Sequence, residues 1–202
     1  WQQLSKNDHS FLATAWTAMG YAFASINYGL APTSNIPQMI SRCRQAINWL
    51  GENYFHYGLD KRGIHVMGHS AGAHLLACAI SPDIQDHDRS TLLTRPQRAI
   101  LIGGIYDLEP ISQTYVNEPL GLSIESARAL SPQFYDIDPF VALDIVYAEH
   151  ETKEFIRQSK AYADKCSKIT PHIELTEVRS RHHFDIMYDI AHTDTALFQQ
   201  LS

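Results

Sequence analysis

"VMGHSAGAH", residues 66–74, sets Ser70 between Gly68 and Gly72 directly after an apolar run. A serine at the tip of a sharp strand-to-helix turn has a strained backbone, and packing that turn leaves no room for side chains two positions to either side. Glycine at both places meets the demand, and G-x-S-x-G between a strand pattern and a helix pattern reads as a nucleophile elbow. A serine that only caps the following helix would explain Ser70 but not the two glycines. The same turn aims the first N–H groups and the positive dipole end of the helix at any oxyanion formed beside Ser70, which makes the Ala71 N–H a candidate oxyanion donor. His69 and His74 lie close by, yet their side chains leave the turn in other directions, so both read as packing or supporting residues.

Outward from the elbow, strand and helix patterns alternate. Upstream, Phe11, Leu12, Ala15, Trp16 and Met19 recur at helical spacing after Asn7 and Asp8, either of which suits a cap, and stop at Gly20. "YAFASINY" (21–28) suits a buried strand, and from Pro37 to about Phe55 the residues Met39, Ile40, Cys43, Ala46, Ile47 and Leu50 mark a long amphipathic helix. Around and after Ser70 come strand "GIHVMG", a helix over 71–80, strands "AILIGG" and "DIVYA", a helix over 152–166, strand "HIELTEV" and a last helix over 184–201. Such alternation predicts an α/β fold: a mostly parallel sheet with helices on both faces. The segments 81–96 and 106–139 read as surface excursions, and residues 1–202 as a single domain with no repeat and no low-complexity tract.

Composition narrows the function classes. With 45% hydrophobic and 19% charged residues, the chain can bury a sizeable core. Its net charge of −6 comes without a basic stripe, which argues against nucleic acid as a partner. No apolar stretch reaches the roughly 18 residues of a membrane span, so a membrane partner is not expected either. Cys43, Cys78 and Cys166 are an odd number without a CxxC pair, which points to reduced buried thiols rather than disulfides or zinc and suits a cytoplasmic protein.

In a parallel sheet every strand's carboxyl end lies on one edge, so partners of Ser70 belong just after later strands. "DIVYA" is followed by "EHE", offering Glu149 and Glu151, whereas Asp144 lies at the wrong end of that strand. "HIELTEV" is followed by "RSRHHFDI", offering His182 and His183 as the base. The order Ser, acid, His is that of an α/β-hydrolase.

Several distant stretches then resemble one family together: "GHSAGAHL", "GIYDLEP", "TYVNEPLGL", "LSP", "EHETKEFIRQS" and "HHFDI". Over nearly its whole length the chain is similar to the α/β-hydrolases that include kynurenine formamidases (arylformamidases) and related small-molecule esterases. The resemblance implies Ser70 as nucleophile, His183 as base and Glu151 as acid, with His182 and Glu149 as runners-up. Where the family usually carries Asp, this chain has Glu151, whose extra methylene the loop must absorb. Tyr106, with Asp107 and Leu108, resembles the family's pocket wall, although ordinary loop packing explains these residues equally well. "NYGLAP" resembles a family strand exit in which Gly29 replaces arginine.

By the same resemblance Trp1 looks like the last residue of the family's oxyanion loop, which adds Trp1 to the oxyanion and substrate candidates. The expectation is then that the biological polypeptide extends further at its amino end, with the first three strands and that loop upstream. Because the family's third strand lies between "YAFASINY" and "GIHVMG", those two segments would otherwise face each other unpaired. The implied activity is hydrolysis of a small acyl amide or ester without metal or organic cofactor, most specifically of N-formylkynurenine-like amides. A short-chain carboxylesterase and a non-catalytic hydrolase-fold binding protein are the alternatives. A homodimer is the default assembly for such enzymes.

Overall fold

The computed structural model describes residues 1–60, 63–84 and 91–202, so residues 85–90 of the expected 81–96 excursion lie outside the described residues. Among the described residues the strands are β1 (His65–His69), β2 (Arg98–Ile102), β3 (Ala142–Ala148) and β4 (Ile173–Val178), forming one sheet in the order β1-β2-β3-β4. All three pairings are parallel, with His69 opposite Ile102, Ile102 opposite Val146 and Ala148 opposite Val178. Four carboxyl ends therefore open on a common rim.

The apolar runs of β2 and β3 are continuous because both faces are covered. Ala99, Leu101, Leu143 and Ile145 pack with α3 (Ala71–Ala79) and α6 (Lys153–Cys166) on one face. The right-handed crossover of parallel strands places those two helices on the same side. Ile100, Ile102, Val146 and Ala148 face α1 (Ala13–Ala18), α7 (Ile186–Asp189) and α8 (Ala196–Leu201) on the other.

Helix α2 (Ile36–Asn53) is bounded as its apolar spacing predicts and opens with a capping box: Asn35 Oδ1 accepts the Gln38 N–H while Gln38 Oε1 accepts the Asn35 N–H. It lies over α3, where buried Arg44 donates to the carbonyls of Cys78, Ala79, Ser81 and Ile84 and so satisfies the end of α3. The excursion between β2 and β3 carries the short helices α4 (Glu109–Ser112) and α5 (Ile124–Ala129).

Three expectations change, and the space at Gly29 acquires a reason. Residues 21–28 form no strand; their inward side chains Tyr21 and Phe23 join Met67 against the α1 face of the core. A short apolar stretch suits a strand, but a strand also needs a ladder partner, and β1 pairs only with β2 among the described residues. The final helix is two, because Thr195 restarts it: its hydroxyl accepts the Phe198 N–H and donates to the Asp189 carbonyl. The first helix is a 3-10 turn (Ser10–Leu12) leading into α1, capped by neither Asn7 nor Asp8; the Asp8 carboxylate instead accepts from Ser5. At Gly29 the missing side chain leaves room for Arg42, which reaches across from α2 to the Tyr28 carbonyl and Ser34 Oγ.

Candidate active site

Ser70 sits between β1 and α3 with φ +55° and ψ −117°, a conformation that side chains rarely adopt. The surrounding backbone over-determines it: the Ser70 N–H donates to the Ile102 carbonyl of β2 at 2.8 Å, and its own carbonyl accepts the His74 N–H. A Cβ on Gly68 would come within 2.5 Å of the Gly72 carbonyl, so glycine there is a steric requirement. At Gly72 the expectation fails, since a Cβ would meet nothing within 4 Å. The crowding is one-sided because the helix backbone at residue 72 closes onto residue 68.

Three rim loops converge here. Ser70 Oγ lies 2.9 Å from His183 Nε2, and His183 Nδ1 lies 3.0 Å from Glu151 Oε1. The Glu151 side chain is fully shielded from solvent and that of His183 is 18% exposed, so the carboxylate acts in a region of low dielectric while the imidazole edge can still meet a ligand. Phe155, His69 and Phe184 surround the His183 ring at centroid distances of 4.6, 4.7 and 5.1 Å. The first two are partly buried, whereas Phe184 stands 74% exposed. A hydroxyl bonded to an imidazole whose other nitrogen is held by a buried carboxylate is arranged for proton transfer from oxygen to nitrogen.

Gly103, which the sequence reading passed over, makes room for this pairing. It follows β2 with φ +51°, and a Cβ on it would lie 2.6 Å from Glu151 Oε1 and 3.0 Å from His183 Nδ1. The glutamate's extra length is accommodated in the space that Gly103 leaves empty. The signal was the paired glycine ending "AILIGG" on the strand beside the elbow.

The alternative candidates are engaged elsewhere. Glu149 is exposed and accepts the Ser180 N–H, bracing the loop after β4. His182 is exposed, pairs with Asp185 at 3.3 Å, and its Nδ1 accepts the Phe184 N–H. His74 is fully buried, accepting from the Trp1 indole at Nδ1 and donating to the Leu130 carbonyl from Nε2; burial lowers its pKa to about 4. Burial likewise lowers His69 to about 4, and its Nε2–H donates to the His183 carbonyl at 2.7 Å.

Ala71 is the first residue of α3, where helix pairing leaves N–H groups available. Trp1 is placed differently from the expectation: its indole is buried edge-on against His74, and its N–H is engaged there. Tyr106 is likewise corrected from pocket wall to core, fully buried and stacked on Tyr162 at 4.1 Å, with its N–H held by Gln158. The three cysteines are free and buried, and burial pushes Cys43 up to about 12 and Cys166 to about 11. Among the described residues no three His, Cys, Asp or Glu side chains gather as a metal site requires, and no helix is long and apolar enough to cross a membrane.

The BD-FAE family model matches residues 1–113. Kynurenine formamidase of Salmo salar is 34% identical over 100% of this chain and 68% of its own length; that of Danio rerio is 32% identical over 93% and 63%. This chain thus spans about two thirds of those relatives. Among solved structures, carboxyl esterase 2 of the fungus Tuber melanosporum superposes with a TM-score of 0.71 at 19% identity, covering 100% of this chain and 70% of that one.

Proposed function

The chain belongs to the α/β-hydrolase family that holds the kynurenine formamidases, and from that premise we propose that it is a serine hydrolase cleaving a small acyl amide or ester through Ser70, His183 and Glu151. The observation that carries the proposal is the unbroken contact from Ser70 Oγ through both His183 nitrogens to Glu151. His183 Nε2 takes the Ser70 proton as Oγ attacks the acyl carbonyl carbon. The resulting oxyanion forms beside the start of α3, where the Ala71 N–H donates to it. Glu151 keeps the His183 Nδ1–H in place and stabilises the imidazolium. His183 then gives its proton to the departing amine or alcohol, and water, deprotonated by the same imidazole, attacks the acyl-enzyme and frees Ser70.

The amide reading, with N-formylkynurenine-like formamides as substrates, is favoured by the two formamidase relatives. A formyl group asks the acyl pocket to hold only hydrogen, and the exposed Phe184 ring offers an aromatic leaving group a surface for stacking. A short-chain carboxylesterase is the second reading, favoured by the likeness in fold to the fungal esterase; it uses the same three residues. Rates on N-formylkynurenine and on p-nitrophenyl acetate, each with wild type and Ser70→Ala, test the proposal. Turnover of the formamide that disappears in Ser70→Ala supports the first reading, and turnover of the acetate alone supports the second. Turnover that survives the substitution contradicts both.

A further inference from the structure

We propose that His69 is a positioning residue for His183: its neutral imidazole, donating Nε2–H to the His183 carbonyl at 2.7 Å, ties the loop that carries the base to the strand that carries the nucleophile. The inference rests on the reading of Ser70 and His183 as nucleophile and base. His69 ends β1 and immediately precedes Ser70, so nucleophile and tether share one rigid turn. Apart from the His183 side chain's own contacts with Ser70 and Glu151, the bonds that anchor the 179–185 loop run elsewhere: the Arg181 carbonyl accepts the His150 N–H, the Ser180 N–H goes to Glu149, and Arg181 holds Asp189. These fix the loop to the β3 exit and to α7. The bond from His69 fixes its distance from Ser70.

The chemistry also explains why histidine suits the position. A carbonyl oxygen only accepts, so His69 Nε2 carries the hydrogen and this nitrogen serves as a donor to the loop rather than as an acceptor for the Ser70 proton. Its ring lies 4.7 Å from that of His183 at an interplanar angle of 39°. Because burial holds His69 neutral near pH 7, no positive charge opposes the imidazolium that His183 becomes during turnover. Lysine or arginine would supply the donor together with a repelling charge.

Three variants separate tether from filler. His69→Gln places a neutral N–H near the Nε2 position, His69→Asn keeps the amide but is too short to reach the carbonyl, and His69→Leu removes the donor. With misplacement of the base as the only defect, kcat falls about 10- to 100-fold in the Asn and Leu variants while KM stays within about twofold, and His69→Gln recovers kcat to within about fivefold of wild type. Labelling of Ser70 by a fluorophosphonate slows in parallel, whichever substrate is native. Melting curves identify a variant that does not fold, and the folded ones then decide. Wild-type kcat in a folded Asn or Leu variant overturns the proposal, as does a Gln variant no better than Leu. If Ser70→Ala keeps wild-type turnover, it is the underlying reading that fails.

Discussion

Glu151 and Gly103 show how one site divides its requirements between a charged residue and an empty space. Glu151→Gln keeps the shape but lets His183 adopt the wrong tautomer, so kcat is expected to fall about 10³- to 10⁴-fold with little change in melting temperature. Glu151→Asp withdraws the carboxylate by one methylene from a partner now 3.0 Å away, and a loss of about 10- to 100-fold follows. In Gly103→Ala the new Cβ would stand 2.6 Å from Glu151 Oε1 at a backbone angle unfavourable to alanine. A stability loss of about 1–2 kcal/mol in denaturant titration, together with a fall in kcat, is the expected outcome. The contact among Ser70, His183 and Glu151 was expected from local patterns and strand logic, with the family resemblance choosing His183 over His182 and Glu151 over Glu149. Gly103 was not, because a glycine after a strand serves turns and close approaches alike and only the folded neighbour reveals which. Tyr106 misled for the converse reason: an aromatic in a long excursion carries no mark of the direction in which it is buried.

The elements position these residues through their ends more than through their lengths. Helix α3 is nine residues long and leaves its last carbonyls to Arg44 of α2. Replacing Arg44 by Leu strands those buried carbonyls and is expected to cost about 2–4 kcal/mol, read from the urea midpoint. Activity in the folded fraction should remain, since Arg44 binds the far end of α3 from Ser70. Asn35→Ala removes one half of the α2 capping box and is expected to cost about 1 kcal/mol. Helical periodicity placed α2 and α6 within a residue or two, because each has an apolar face and a capping residue, whereas α3, buried on all sides and without a side-chain cap, was placed by the elbow before it. The stretch 21–28 was the failure at this level. Its short, mostly apolar composition suited a strand, but pairing depends on a partner elsewhere in the chain, which local composition does not record. The break between α7 and α8 was written in "HTDT", where Thr195 had a helix start to cap.

Across the molecule, the rim of parallel strand ends brings residues 70, 103, 151 and 183 together, and burial of neutral histidines links stability to pH. His69 and His74 titrate near 4 when folded and near 6.5 when unfolded. The unfolded chain therefore binds more protons between those values, so the stability these groups confer is complete above about pH 6.5 and is lost progressively as pH falls toward 4. Melting temperature should fall from pH 7 to pH 5, and His74→Gln should flatten that slope. The proposed catalysis depends on Ser70 being activated by the distant His183 and Glu151. The most direct measurement is mass-spectrometric mapping of a fluorophosphonate adduct, with its rate of formation in wild type, His183→Ala and Glu151→Gln. The account predicts a single adduct on Ser70, formed at least about a thousandfold more slowly without His183 and also slowed in Glu151→Gln. An unlabelled Ser70 in folded wild type, or labelling indifferent to His183, would contradict it.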